Sequence, residues 1–350
     1  MHIHGEFVGG NISVTSCEGT HIYLQNQLRD TQGDWFYWAF CIEGAEGQTL
    51  TFHMQPNRLG YFGPAVSYDL VNWHWLGRVE GDTFTYTFAP DEGRVYFAHN
   101  MLYHPARFSA FCEKRGMTPA TLCVSRRGRE VPCLTLGEGK RTVFLTARHH
   151  ACESTGSYVL EGVLDELSRH PLPDVTVFCV PFVDYDGVLD GDQGKGRAPH
   201  DHNREYDFSV PAIYPETAAI RARAAAQGVY LGFDFHSPWH KGGHNDTAFI
   251  VQNSIPALDR QVRFGQLLEE EITPDALPYR QSGDFPPETE WNHRGPQFAS
   301  GMQSFPTCLT AFTLETAYFG KPDCPVSEQK LLGLGRAFGR AIGRYLAENS

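Results

Sequence analysis

The sequence predicts an α/β protein: a mixed, mostly parallel sheet covered by helices, preceded by an all-β sandwich. Two observations carry this. After residue 121, short apolar runs alternate with segments of helical periodicity, the pattern of parallel strands and their crossover helices. Before residue 115, aromatic and β-branched runs recur, separated by stretches that carry Gly, Asp, Asn and Pro, as in a sandwich. At 350 residues the chain has room for two domains or one large one. The expected division is a β-sandwich domain over 1–115 and a second domain over 121–350.

In the first part the strand-like runs are Ile22–Leu24, Trp35–Phe40, Leu50–Met54, Phe84–Phe88 and Val95–Ala98. Trp73-His74-Trp75 is read as core or interdomain packing, because aromatics dominate both. A helix over 104–120, with Phe108, Phe111 and Cys112 on one side, links the halves. Strands follow at Thr142–Ala147, Val175–Val180, Val229–Phe235, Ala248–Gln252 and Leu309–Thr316. Helices are expected at Ser157–Ser168, Glu216–Gln227, Ala257–Glu271 and Val326–Glu348. In the last of these, Gly335, Gly339 and Gly343 fall four apart, and the reading is that they pack closely on the sheet while Arg336, Arg340 and Arg344 face water.

Composition narrows the function. Hydrophobic residues make up 41% and charged residues 20%, as in soluble globular proteins. No run approaches the roughly 18 apolar residues of a membrane span, and the amino terminus lacks the pattern of a secretion signal. The nine cysteines are scattered, without a Cys-x-x-Cys pair, which suits reduced thiols and a cytoplasmic location. A net charge of −12 repels nucleic acid and anionic membranes, so neither is an expected partner.

The chemistry concentrates after the strand Thr142–Ala147. His150 and Glu153 lie on the turn before a helix that Ser154 or Thr155 can cap. Open α/β sheets place ligands at such strand ends, and an imidazole and a carboxylate three residues apart can converge on one cation. Asp234-Phe235-His236 ends another strand, so His236 is a further candidate ligand, with His240 and His244 as competitors. Glu315 ends the last strand and can point to the same edge. Asn203-Arg204 sets an amide beside a guanidinium fork, a pair suited to a carboxylate. The loop over 184–207 that carries them is long and polar, as functional loops often are.

The order His-x-x-Glu, Asn-Arg, strand-end His, Thr-x-Glu resembles the zinc metallocarboxypeptidases of the carboxypeptidase A type. Val180-Pro181, Asp186-Gly187-Val188 and Tyr214-Pro215-Glu216-Thr217 extend the resemblance. Gln27–Asp30, Trp35–Tyr37 and Val95–Ala98 are similar to the amino-terminal β-sandwich of the cytosolic carboxypeptidase subfamily. The resemblance implies one zinc per chain on His150, Glu153 and His236. It implies that Asn203 and Arg204 hold a substrate's terminal carboxylate, that Arg197 polarises the scissile carbonyl, and that Glu315 is the general base. The implied substrate is the C-terminal tail of a peptide or protein.

The chain also departs from that pattern. Ala151-Cys152 stands where the family has Pro-Gly, and Cys152 is a conceivable soft ligand. Trp291, Asn292 and His293 stand where many members have a closing tyrosine. A related fold with similar ligands offers a second reading, a zinc deacylase of N-acyl amino acids resembling aspartoacylase.

Overall fold

A computed structural model describes residues 1–253 and 255–349. Its centre is a seven-stranded sheet in the order Ala120–Val124, Glu130–Leu136, Val175–Val180, Arg141–Ala147, Leu231–His236, Thr310–Thr316, Ala248–Val251. The four inner strands from Val175–Val180 to Thr310–Thr316 are joined by three parallel ladders. The three flanking ladders are antiparallel. The sheet is therefore evenly mixed, not mostly parallel. Strands Ala120–Val124 and Glu130–Leu136 form a tight hairpin, which can only pair antiparallel. Residues 121–124 and 130–136 belong to the stretch that the sequence left unassigned; Ala120–Val124 is mostly exposed.

The inner strands are almost wholly buried, which explains their continuous apolar runs. Register delivers the ends of the parallel strands to one edge: Ala147 pairs with Phe235, and His236 with Glu315. Helix Ser154–Arg169 begins directly beyond that edge. Helices Pro215–Gln227, Leu258–Glu271 and Glu328–Glu348 lie close to the spans expected from periodicity, whereas the linking helix, expected over 104–120, covers only Pro105–Lys114, and Ala120 already begins a strand.

The first 98 residues form two further sheets. One has five strands, His2–His4, Ala39–Glu43, Arg94–Ala98, Ala65–Ser67 and His74–Trp75. The other has four, Ser13–Glu18, His21–Gln25, Thr49–His53 and Thr83–Thr87. Phe40, Phe97, Phe52 and Phe84 meet between them in one apolar cluster. The opposite face of the five-stranded sheet, with Ala39, Cys41, Tyr96 and Ala98, joins the apolar core of the central sheet and its helices. Trp75 Nε1 donates to Val326 O at 2.8 Å, so this aromatic pair sits at the junction.

Gly335 and Gly339 of helix Glu328–Glu348 pack on helix Ser154–Arg169, not on the sheet. A Cβ on Gly335 would fall on the carbonyl oxygen of Val159 and within 2.7 Å of Gly162 Cα. Two glycines facing each other let the backbones approach this closely. Arg340 and Arg344 do not simply face water: both pair with Glu271, at 2.7 and 3.0 Å. Gly335→Val should lower stability by about 2 kcal/mol or more through overpacking, read as a fall in Tm. Gly343→Ala, whose Cβ meets only Leu172 Cδ2 at 3.4 Å, should leave Tm within about a degree or raise it.

Candidate metal centre

Strand Arg141–Ala147 stops at a sharp turn. Arg148 adopts φ +62°, a left-handed conformation that a non-glycine residue holds only when its surroundings fix it. Its buried guanidinium does the fixing: Nε donates to Ala151 O at 2.7 Å and Nη1 to Tyr103 O at 2.7 Å. Arg148 is thus spent on the turn and carries no charge to the pocket mouth. The turn presents His149, His150 and Glu153. Helix Ser154–Arg169 starts one residue later than Glu153, which occupies its N-cap position without capping it. Ser154 and Thr155 lie inside the helix rather than ahead of it, so neither is the cap. Thr155 instead donates to Thr316 O at 2.9 Å.

The uncapped carboxylate turns inward. Glu153 is 1% exposed and gathers three cationic or polarisable groups. His150 Nδ1 lies 2.9 Å from Oε1, and His236 Nδ1 lies 2.7 Å from Oε2. Lys195 Nζ lies 2.5 Å from Oε1. The Ser237 backbone N–H donates to Oε2 at 3.2 Å. Burial disfavours the charged carboxylate, but Lys195, then His150 and His236, hold its pKa well below the usual range.

One donor atom each from His150, Glu153 and His236 lies within 4.8 Å of the other two. Both imidazoles turn Nδ1 toward Glu153 and Nε2 toward an aspartate. His236 Nε2 meets Asp234 Oδ2 at 2.6 Å, and His150 Nε2 lies 3.6 Å from Asp201 Oδ1. A ligating histidine is oriented in this way, by a carboxylate on its far nitrogen. Asp234 is itself held by Thr146 Oγ1 and His149 Nδ1, each at 2.8 Å. The residues present therefore fit a dication bound through two imidazoles and a carboxylate. His149, Asp234 and His236 form a second close group, but it lies wholly inside the protein and its contacts orient His236. Asp201 and Asp234, which touch the candidate ligands, were not singled out from the sequence. Their signal was only their spacing from candidate ligands, Asp234 two residues before His236 and on the same strand face.

A cavity of about 120 Å³ opens over this group, and His150, Asn203, Arg204, His236 and Glu315 all line it. Glu315 is buried, and its Oε2 has no hydrogen-bond partner among the described residues. Burial, with Glu153 adding, raises its pKa to about 7. Arg204 is 43% exposed in its side chain; Nη1 donates to Asn203 O at 2.9 Å, and its nearest carboxylate, Asp201, is 3.9 Å away. Asn203 Oδ1 accepts the Phe298 N–H at 2.8 Å, and its Nδ2 lies 3.4 Å from His236 Nε2.

Arg197 is not brought to this group. Its guanidinium contacts three carboxylates, Asp30, Asp184 and Asp192, at 2.9, 2.8 and 3.1 Å, and lines a different cavity. These three acids hold Arg197 away from the metal site, and Lys195, two residues earlier, is the cation that reaches Glu153 instead. Cys152 Sγ lies 3.7 Å from Tyr318 Oη and outside the ligand group. His240 is buried against His99 and Phe36, and His244 packs on Phe249 and Phe285. His293 and Trp291 do line the cavity.

The fold and parts of the sequence resemble known proteins. The fold matches a metallo-carboxypeptidase from Burkholderia cenocepacia with a TM-score of 0.79 at 21% identity, covering 100% of this chain and 99% of that one. A metallo-carboxypeptidase from Pseudomonas aeruginosa matches equally well, at TM-score 0.79 and 20% identity over the full length of both. The chain therefore has the metallocarboxypeptidase fold from end to end. In sequence it resembles the cytosolic carboxypeptidases. Human cytosolic carboxypeptidase 2 is 32% identical over 181 residues, which cover 44% of this chain and 20% of that protein. A protein of Zymomonas mobilis is 27% identical over 256 residues, 67% of each chain. The chain thus spans only about a fifth of the human relative. No protein-family model matches it.

The ligand group makes a direct prediction. His150→Ala leaves one imidazole and one carboxylate, too few to hold a dication against dialysis. Elemental analysis should find about one zinc per wild-type chain and essentially none in the variant. One retained equivalent in His150→Ala would remove His150 from the ligand set.

Proposed function

We propose that the protein is a zinc-dependent carboxypeptidase acting on the C-terminal peptide bond of peptides or protein tails. The observation that carries this is the convergence of His150, Glu153 and His236 with Glu315 and Arg204 around one cavity. Zinc on the three ligands would supply Lewis-acid polarisation of a carbonyl and an acidified water. The chain's own residues supply the rest. Glu315, whose buried Oε2 lacks a partner among the described residues, takes the proton of the attacking water and returns it to the leaving amine. Arg204 offers an exposed planar fork to the terminal carboxylate, and the Asn203 amide adds a donor beside it. A cytoplasmic location is supported by nine unpaired cysteines and by the cytosolic relatives.

We also propose that residues 1–115 form a β-sandwich domain and residues 121–350 the catalytic domain. The apolar cluster between the two amino-terminal sheets supports this division, while the core shared with the central sheet implies that the parts fold together.

Glu315→Gln keeps size and polarity but removes the base. Zinc content should stay at the wild-type level while kcat falls by about 10² or more; near wild-type turnover would remove Glu315 from the mechanism.

Recognition of the terminal carboxylate is tested by comparing one peptide as free acid and as amide. The amide lacks the charge that Arg204 reads, and hydrogen bonds to charged groups contribute about 1.5–3 kcal/mol each. The acid should be cleaved at least about 10²-fold more efficiently, and Arg204→Ala should erase most of that difference. Equal kcat/KM values for acid and amide in the wild type would replace the carboxypeptidase reading with an amidase or endopeptidase. Turnover of N-acetyl or N-succinyl amino acids in preference to peptides would instead favour the deacylase.

A further inference from the structure

We infer that Lys195 is a positioning residue that sets the charge of the metal centre and thereby weakens and tunes its grip on the metal. The inference rests on the metal reading above. Lys195 is buried, and its ammonium lies 2.5 Å from Glu153 Oε1 and 3.4 Å from Ser237 O. Among the described residues, Glu153 is the one carboxylate within ion-pair distance of it. Lys195 does not line the cavity over the ligands, so it acts through Glu153 and not on substrate.

The carboxylate is shared. Without metal, the ammonium compensates a negative charge that would otherwise be buried. With a dication on the same carboxylate, two cations divide one anion and repel each other across a poorly screened interior. Lys195 therefore favours the metal-free fold and opposes the metal-bound one. A site of two imidazoles and one carboxylate alone would bind more tightly.

The ammonium is held beside Glu153: its side chain is 11% exposed and its loop is clamped. Gly194, at φ +79°, lies against the His150–Ala151 backbone, and a Cβ there would fall on Ala151 N. The Gly194 and Gln193 N–H groups donate to the two oxygens of Asp30 at 2.8 and 3.0 Å. Gln193 Oε1 accepts the Tyr37 N–H at 2.9 Å, and Nε2 donates to Tyr37 O at 2.8 Å. The Cys152 N–H donates to Gln193 O at 3.2 Å. Trp35 closes the outer side, with its ring centre 5.5 Å from Nζ. The amino-terminal strands and the metal turn thus hold Lys195 in place from both sides.

The test uses full-length wild type with Lys195→Met, Lys195→Gln and Lys195→Arg. Zinc is stripped with a chelator, its Kd is measured by competition with a chromophoric chelator, and Tm is recorded with and without zinc. The Met and Gln variants should bind zinc at least about tenfold more tightly. Their zinc-free forms should melt below zinc-free wild type, and their zinc-loaded forms close to loaded wild type. Lys195→Arg, which keeps the charge, should keep the wild-type Kd. Lys195→Gln retains a donor to Glu153 and decides the matter if the Met variant does not fold. Unchanged or weaker zinc binding in folded Lys195→Gln overturns the inference while leaving the metal reading intact. A wild type that takes up no zinc overturns both.

Discussion

A carboxylate with 1% exposure is the constraint on which this molecule depends. Burying the charge of Glu153 is costly unless partners surround it, and each partner arrives from a different part of the fold. His150 comes from the same turn, His236 and the Ser237 N–H from a neighbouring strand end, and Lys195 from a loop held by the amino-terminal strands. No one of these elements can move without exposing a charge in the interior. The site is therefore held by electrostatics as firmly as the sheet behind it is held by packing.

The sheet supplies the second condition. Parallel ladders align the ends of Arg141–Ala147, Leu231–His236 and Thr310–Thr316, and the register that sets His236 beside Glu315 also brings a candidate metal ligand next to the candidate base. A one-residue slip would turn both side chains to the other face. The burial of these strands on both faces fixes that register, and Asp234 on the same strand then orients His236 from behind.

Much of this was legible in the sequence, because the informative features were local. The apolar run Thr142–Ala147, the His150 and Glu153 pair after it, and the helical periodicity beyond define a strand, a turn and a helix within thirty residues. His236 and Glu315 were legible for the same reason, as polar residues closing apolar strands. What escaped was set by distant contacts. Ser13–Glu18 and Ala120–Val124 are sheet-edge strands with mostly exposed side chains, so their sequences lack apolar alternation. Arg197 and Lys195 sit two residues apart in an irregular loop, where spacing does not decide which cation faces inward. That choice is made by Asp30, 167 residues from Arg197, and by Asp184 and Asp192. The glycines of the last helix were legible as close-contact positions, but not the surface they meet, since a helix and a sheet both accept a bare backbone.

The clamp between Gln193-Gly194 and Asp30-Tyr37 has a consequence for the history of such chains. Two stretches about 160 residues apart in sequence share a set of backbone and side-chain hydrogen bonds whose geometry reaches the metal ligands. They are heritable only as a pair. A recombination event that brought in amino-terminal sheets without the Asp30 carboxylate would leave the Gln193 and Gly194 N–H groups without their acceptor. The recipient would inherit every candidate metal ligand and still lack the loop geometry that holds its lysine in place.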